Sequence, residues 1–153
     1  MKNKTCTPFL MTSIFLFAGC SYETINADQL VEREELYYKA DSGTLFSGIA
    51  LEYDDDGRKT GEVGYKRGKM HGKFAYFWSN GRKMSVGSYS GGKQDGLFID
   101  WHENGQEGFK GNFKKGIEDG VFSWWDENGE LTAEETYDNG RLRSIMAKAS
   151  DAP

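Results

Sequence analysis

Between residues 48 and 143 the apolar positions come in short bursts, each bounded by a glycine-containing reversal, and none is long enough for a helix. Lys73–Trp78 and Leu97–His102 are typical bursts of strand-favouring residues, and such runs between reversals predict β-hairpins. The bursts keep step. Gly48, Gly72, Gly96 and Gly120 are spaced by 24 residues, and Gly57, Gly81, Gly105 and Gly129 repeat that spacing. So do Gly68, Gly92, Gly116 and Gly140, and two aromatic series, Tyr53, Phe77, Trp101, Trp125 and Tyr65, Tyr89, Phe113, Tyr137. Four copies of one unit therefore occupy residues 48–143, and a fixed period of this length means a repeat array rather than a single globular core.

Each unit reads as one hairpin. Asp56-Gly57, Asn80-Gly81, Asn104-Gly105 and Asn128-Gly129 stand between two extended runs, where a type I′ turn takes two residues of positive φ. Gly68, Gly92, Gly116 and Gly140 close the opposite turns and start the next hairpin. The expected fold is all-β: an elongated single-layer antiparallel meander of 24-residue hairpins, about nine strands, twisted or curled to shield one aromatic row.

The two-residue period divides the side chains into faces. One face carries Ile49, Leu51 and Tyr53, then Leu97, Ile99 and Trp101, and is mainly apolar. The other carries Phe74, Phe98 and Phe122, then diverges to Tyr76, Asp100 and Trp124, with Trp78 and His102 at the strand ends. The constant positions read as scaffold and the variable ones as surface. Tyr76, Trp78, Asp100, His102 and Trp124 are thus the candidate binding surface, against the alternative that they pack on the sheet.

The N-terminus follows another pattern. Lys2 and Lys4 precede a short apolar run at residues 9–18, then Gly19 and Cys20, as in a secretion signal too short to persist as a spanning helix. Leu16-Phe17-Ala18-Gly19-Cys20 resembles the lipobox of bacterial lipoproteins, which implies cleavage after residue 19 and a lipid on Cys20. Ordinary secretion with a chance cysteine is the other reading. Ser21 after the cysteine implies, by the same resemblance, an outer-membrane protein facing the periplasm. Cys6 leaves with the signal, so no internal disulfide is expected. Residues 20–35 read as a lipidated cysteine and tether, with a short helix from Ala27, residues 36–47 as cap strands, and residues 144–153 as a frayed tail.

Composition narrows the function classes. Glycine is 20 of 153 residues and proline 2, which suits tight turns rather than a disordered linker. Without the two signal lysines the remaining 17 cations face 24 acids, a net charge of −7, which argues against nucleic acid as a partner.

Tyr65-Lys-Arg-Gly68-Lys-Met-His-Gly72 resembles the core of a MORN repeat, and the whole unit is closer still to the MORN variant of bacterial proteins often labelled antitoxin-like. Leu45-Phe46-Ser47-Gly48 resembles the segment that opens such arrays. The resemblance covers roughly residues 30–143. It implies a hairpin array and a binding or scaffolding role, and it brings no catalytic residues.

The residues offer no chemistry of their own. His71 and His102 fall at different phases of the unit, Asp54-Asp55-Asp56-Gly57 lacks the alternation of a calcium loop, and Glu134 and Glu135 point to opposite faces of a strand. Asp95 and Asp119 precede unit glycines and read as turn stabilisers. No catalytic, cofactor or metal site is expected. The sequence points to a lipid-anchored envelope protein that binds or scaffolds a protein partner. The alternatives are a carbohydrate-binding module for peptidoglycan or surface glycan, and an immunity protein against an exported toxin.

Overall fold

The computed structural model describes residues 22–147; the signal segment, Cys20 and residues 148–153 lie outside them. The described chain is nearly all β. Its strands are β1 (Thr24–Asn26), β2 (Leu30–Arg33), β3 (Leu36–Lys39), β4 (Gly48–Tyr53), β5 (Lys59–Lys66), β6 (Lys69–Phe77), β7 (Lys83–Ser90), β8 (Lys93–Gln94), β9 (Gly96–Trp101), β10 (Glu107–Lys114), β11 (Ile117–Glu118), β12 (Gly120–Trp125), β13 (Leu131–Asp138) and β14 (Arg141–Ala147). From β4 to β14 they form one open antiparallel meander in sequence order, with β8 and β11 as short leading pieces of β9 and β12.

Residues 24–33, expected within the tether, form strands and a 3-10 turn. β1 lies parallel to β4, pairing Thr24 with Ile49 and Asn26 with Leu51, which makes the sheet mixed. Ala27–Gln29 is a single 3-10 turn, and β2 pairs with β3 as a small second sheet. A meander begins with a strand whose outer N–H and C=O groups are bare, and β1 occupies part of that edge. Residues 36–47 cover the end of the array: Phe46 is wholly buried against Tyr65, with ring centroids 5.7 Å apart, and Tyr37 meets Tyr65 at 4.9 Å. At the other end Ser144–Ala147, read as tail, continue β14 and pair with β13. The sheet therefore gains a strand beyond the last phased glycine, because β13 presents the same unpaired edge.

The reversals exchange types. In the hairpins with Asp-Gly or Asn-Gly, Gly57 N–H donates to the Asp54 carbonyl at 2.9 Å and Asp54 N–H to the Arg58 carbonyl at 3.0 Å. Trp78, His102 and Asp126 repeat that pattern, and only the glycine has positive φ. These are three-residue loops, a type I turn followed by a left-handed glycine, not the type I′ turns expected. The type I′ geometry lies at the other end. Arg67-Gly68, Gly91-Gly92, Lys115-Gly116 and Asn139-Gly140 all have positive φ at both positions, between strand residues that pair directly. All eight phased turn glycines have φ between 76° and 92°.

Each three-residue loop is followed by a register shift, so that Thr60, Met84, Gly108 and Thr132 are extra residues on the returning strand. A β-bulge sharpens the local twist and re-aims the side chain beyond it. These bulges help to twist the single layer, and they have a second consequence for the site.

The core lies on one face of the sheet. Phe74, Phe98 and Phe122 are 3–6% exposed, in line with Ala50 and Val63. Between the phenylalanines, on the intervening strands, stand Gly87 and Gly111. A Cβ on Gly87 would sit 2.7 Å from the Phe74 ring and 2.9 Å from that of Phe98. The two rings lean over this gap to a centroid distance of 5.3 Å, although their strands are two spacings, roughly 9.6 Å, apart. Tyr89, Phe113 and Tyr137 flank the row with centroids 5.1–5.6 Å from its phenylalanines. Edge-on contacts of this kind add to simple burial and let one layer hold a core.

Candidate binding surface

Both long sides of the sheet are laced by bonds that repeat every 24 residues. At the type I′ side, the amides of Gly68, Gly92, Gly116 and Gly140 donate to the carbonyls of Phe46, Met70, Gln94 and Glu118, at 2.7–2.8 Å. Ser47 Oγ accepts from Arg67 N–H at 2.7 Å, and Asp95 Oδ1 from Lys115 N–H at 3.0 Å, so Asp95 does stabilise a turn, but one in the next unit. At the opposite side Asn80 Nδ2 donates to the Glu103 carbonyl at 3.1 Å, and Asn104 Nδ2 to that of Glu127 at 2.6 Å. Their Oδ1 atoms accept from Arg82 and Gln106 N–H inside their own loops, both at 2.9 Å. Asn-Gly thus joins repeats as well as turning the chain.

The five residues read from the sequence as a binding surface separate into two structural roles. Trp78 Nε1 donates to the Trp101 carbonyl at 3.0 Å, and His102 Nε2 to the Trp125 carbonyl at 2.8 Å. Both tie one unit to the next. Where the phase holds aspartate instead, Asp54 and Asp126 turn back to cap their own loops. Tyr76, Asp100 and Trp124 stand beside the phenylalanine row and are half-buried. Tyr76 lies 5.6 Å from Phe74, Trp124 lies 5.5 Å from Phe109, and Asp100 accepts from Ser85 Oγ at 2.5 Å. Burial, and then the charge of Glu52, push the Tyr76 phenol up to about 12. Burial raises Tyr65 and Tyr89 in the same direction. These groups serve the aromatic face; variation at a phased position signals repacking there rather than exposure.

The face turned away from the core is the open one. Leu97 and Val121 are 48% and 49% exposed there, beside half-buried Ile49, Val86 and Ile99. Along its loop side runs a row that sequence reading leaves unassembled. Tyr53 pairs with Lys59, Phe77 with Lys83, Trp101 with Glu107, and Trp125 with Leu131. In unbroken alternation Lys59 and Lys83 would point to the core face; the bulges at Thr60 and Met84 return them to the outer one. Lys59 Nζ then lies 5.0 Å over the Phe77 ring, and Lys83 Nζ 5.9 Å over that of Trp101. The signal is in the sequence, since positions 59, 83, 107 and 131 are spaced by 24, but their face depends on the bulge.

Arg82, Lys83, Trp101 and Asn104 line an open cleft of about 570 Å³ on this row. Another cavity, also about 570 Å³, lies where Gly64 takes the phase held elsewhere by Ser88, Asn112 and Thr136, with Tyr22, Ile49 and Lys73 on its walls. Among the described residues no three His, Cys, Asp or Glu side chains converge as metal ligands, and no helix is long and apolar enough to cross a membrane.

The last phased unit pairs strands β12 and β13 in the same hairpin. Residues 118–139 match the MORN repeat variant. MORN repeats are generally protein- or membrane-interaction modules, which fits a non-enzymatic binding role. The match spans the last complete hairpin, and the other three units keep its phase, glycine for glycine. No curated protein matches the chain.

Proposed function

We propose that this protein is a non-enzymatic binding module of the cell envelope, carried on a lipid at Cys20, which docks a macromolecular partner on the outer face of its MORN-type sheet. A single-layer sheet with two apolar faces can bury only one against itself. Here the phenylalanine row uses the inner face, and the outer one still exposes Leu97 and Val121 at nearly half their surface. That uncovered face carries the reading: exposed apolar side chains alternate there with polar ones, Asn112 standing between Leu97 and Val121, as in a mixed docking surface. The lipobox-like Leu16–Cys20 supports the anchor, and the lacing of both long sides keeps the face rigid, which lowers the entropic cost of docking.

The test is a photo-crosslinking amino acid placed in turn at Leu97, Val121 and Lys110 on the outer face, and at Glu135 on the inner one, with the protein in its own envelope. The outer positions should yield one shared adduct that is absent from Glu135. Adducts from both faces alike, or from neither, overturn the assignment. Metabolic labelling with a fatty acid, lost on Cys20→Ser, tests the anchor separately.

A further inference from the structure

We infer that the outer aromatic row is a platform for an anionic glycan strand, specifically a β-1,4-linked amino-sugar chain with a carboxylate on every second ring. This rests on the outer face being the docking face and adds the chemical class of what docks. Three observations lead to it.

The first is spacing. Tyr53, Phe77, Trp101 and Trp125 occupy the same position on alternate strands, so the row advances by two strand spacings per aromatic, roughly 9.6 Å. That advance is close to the length of one disaccharide in a β-1,4-linked chain. A β-strand repeats at roughly 6.8 Å and fits the row less well, and a lipid surface needs no register. The second is charge. In an acidic protein the row carries Lys83 beside Trp101, and Lys59 beside Phe77, where Glu62 also pairs with it at 2.9 Å. A cation beside an aromatic is the complement of a carboxylate beside a sugar ring. The third is the cleft at Trp101, where an indole, Arg82, Lys83 and Asn104 surround one open volume. Aromatic faces stack on the apolar face of a sugar ring, while Lys83 meets its carboxylate.

The bulges matter to this assignment. Their re-aiming of Lys59 and Lys83 costs one ladder pairing per unit, yet brings each cation beside an aromatic on the exposed side. In the last two units the same phase holds Glu107 and Leu131, so the acidic strand is gripped at the first two units and only stacked beyond them.

The experiment is isothermal titration of the detergent-purified full-length protein with two probes. One is a soluble strand of alternating N-acetylglucosamine and N-acetylmuramic acid bearing free lactyl carboxylates; the other is neutral chitohexaose. The acidic strand should bind at least tenfold more tightly, and the difference should shrink with added salt. Lys83→Glu, an exposed change, should abolish the preference for the acidic strand, with circular dichroism reporting on folding. Trp101→Leu should weaken both probes at least tenfold, with circular dichroism reporting on folding. Equal affinity for the two probes, no heat with either, or an unchanged preference in Lys83→Glu would overturn the proposal. If an outer-face protein adduct persists while neither glycan binds, the docking face stands and the partner is a protein.

Discussion

Gly87 offers a sharp test of how one layer holds a core. It is not a turn residue: its φ lies outside the positive region, and it sits mid-strand between Phe74 and Phe98. A methyl group there would meet both rings at 2.7–2.9 Å, closer than van der Waals contact allows, and the rings are 6% and 5% exposed, with little room to retreat. Gly87→Ala should therefore cost about 1–3 kcal/mol as overpacking. For a chain of this size that corresponds to a fall in Tm of roughly 2–12 °C. The protein already contains the relaxed alternative. In the first unit the same row reads Ala50, Val63, Phe74, a small residue making room for a branched one. Combining Phe74→Ala with Gly87→Val copies that arrangement one unit later. Alone, the phenylalanine change should cost ~3–5 kcal/mol, and the double variant should fall at least ~1 kcal/mol short of the sum. Urea unfolding of the four proteins measures the cycle. Strict additivity, or a Gly87→Ala variant as stable as the parent, would show that the glycine is not there to admit the rings.

Further outcomes follow from the lacing, the cap and the phenols. Asn104→Asp removes the Nδ2 donor to Glu127 while leaving the loop acceptor, and should cost about 0.5–1.5 kcal/mol by urea unfolding; Asn128→Asp, with no following unit, should stay within ~0.5 kcal/mol. Phe46→Ala, at a wholly buried position against Tyr65, should cost about 3–5 kcal/mol and expose the first hairpin to limited proteolysis before the last. Because folding raises the pKa of Tyr65, Tyr76 and Tyr89, their contribution is fully present below the ordinary phenol value of 10 and is lost as pH rises through the folded values, about 12 for Tyr76. Tm should thus decline between pH 10 and 12, less steeply in Tyr76→Phe, as a thermal scan across that range will show.

Much of the fold is legible because it is written four times. The 24-residue step locates every hairpin of the array, and the glycine phases mark both rows of turns. The step does not report turn type. Asn-Gly favours a two-residue turn in isolation, but here the closing pair lies one residue further out, at Asp54–Arg58 and its equivalents, and the extra residue becomes a bulge. The bulge, in turn, hides the outer row, since strict alternation assigns Lys59 and Lys83 to the wrong face. Tyr76 and Trp124 vary between units yet pack beside the core, because their phase alternates with small residues such as Ser85 and Ala133. The edges are the least legible part. β1 and the end of β14 lie outside the repeat, and only the unpaired ladders of β4 and β13 call for them.

The central claim is that adjacent residues of one strand serve opposite purposes, one face as core and the other as docking surface. The most direct measurement is thermal unfolding of Leu97→Asp against Phe98→Asp, neighbours on β9. Leu97→Asp should shift Tm by no more than a few degrees, while Phe98→Asp should abolish the cooperative transition. Equal loss in both variants, or a tolerated charge at Phe98, would contradict the assignment of the two faces.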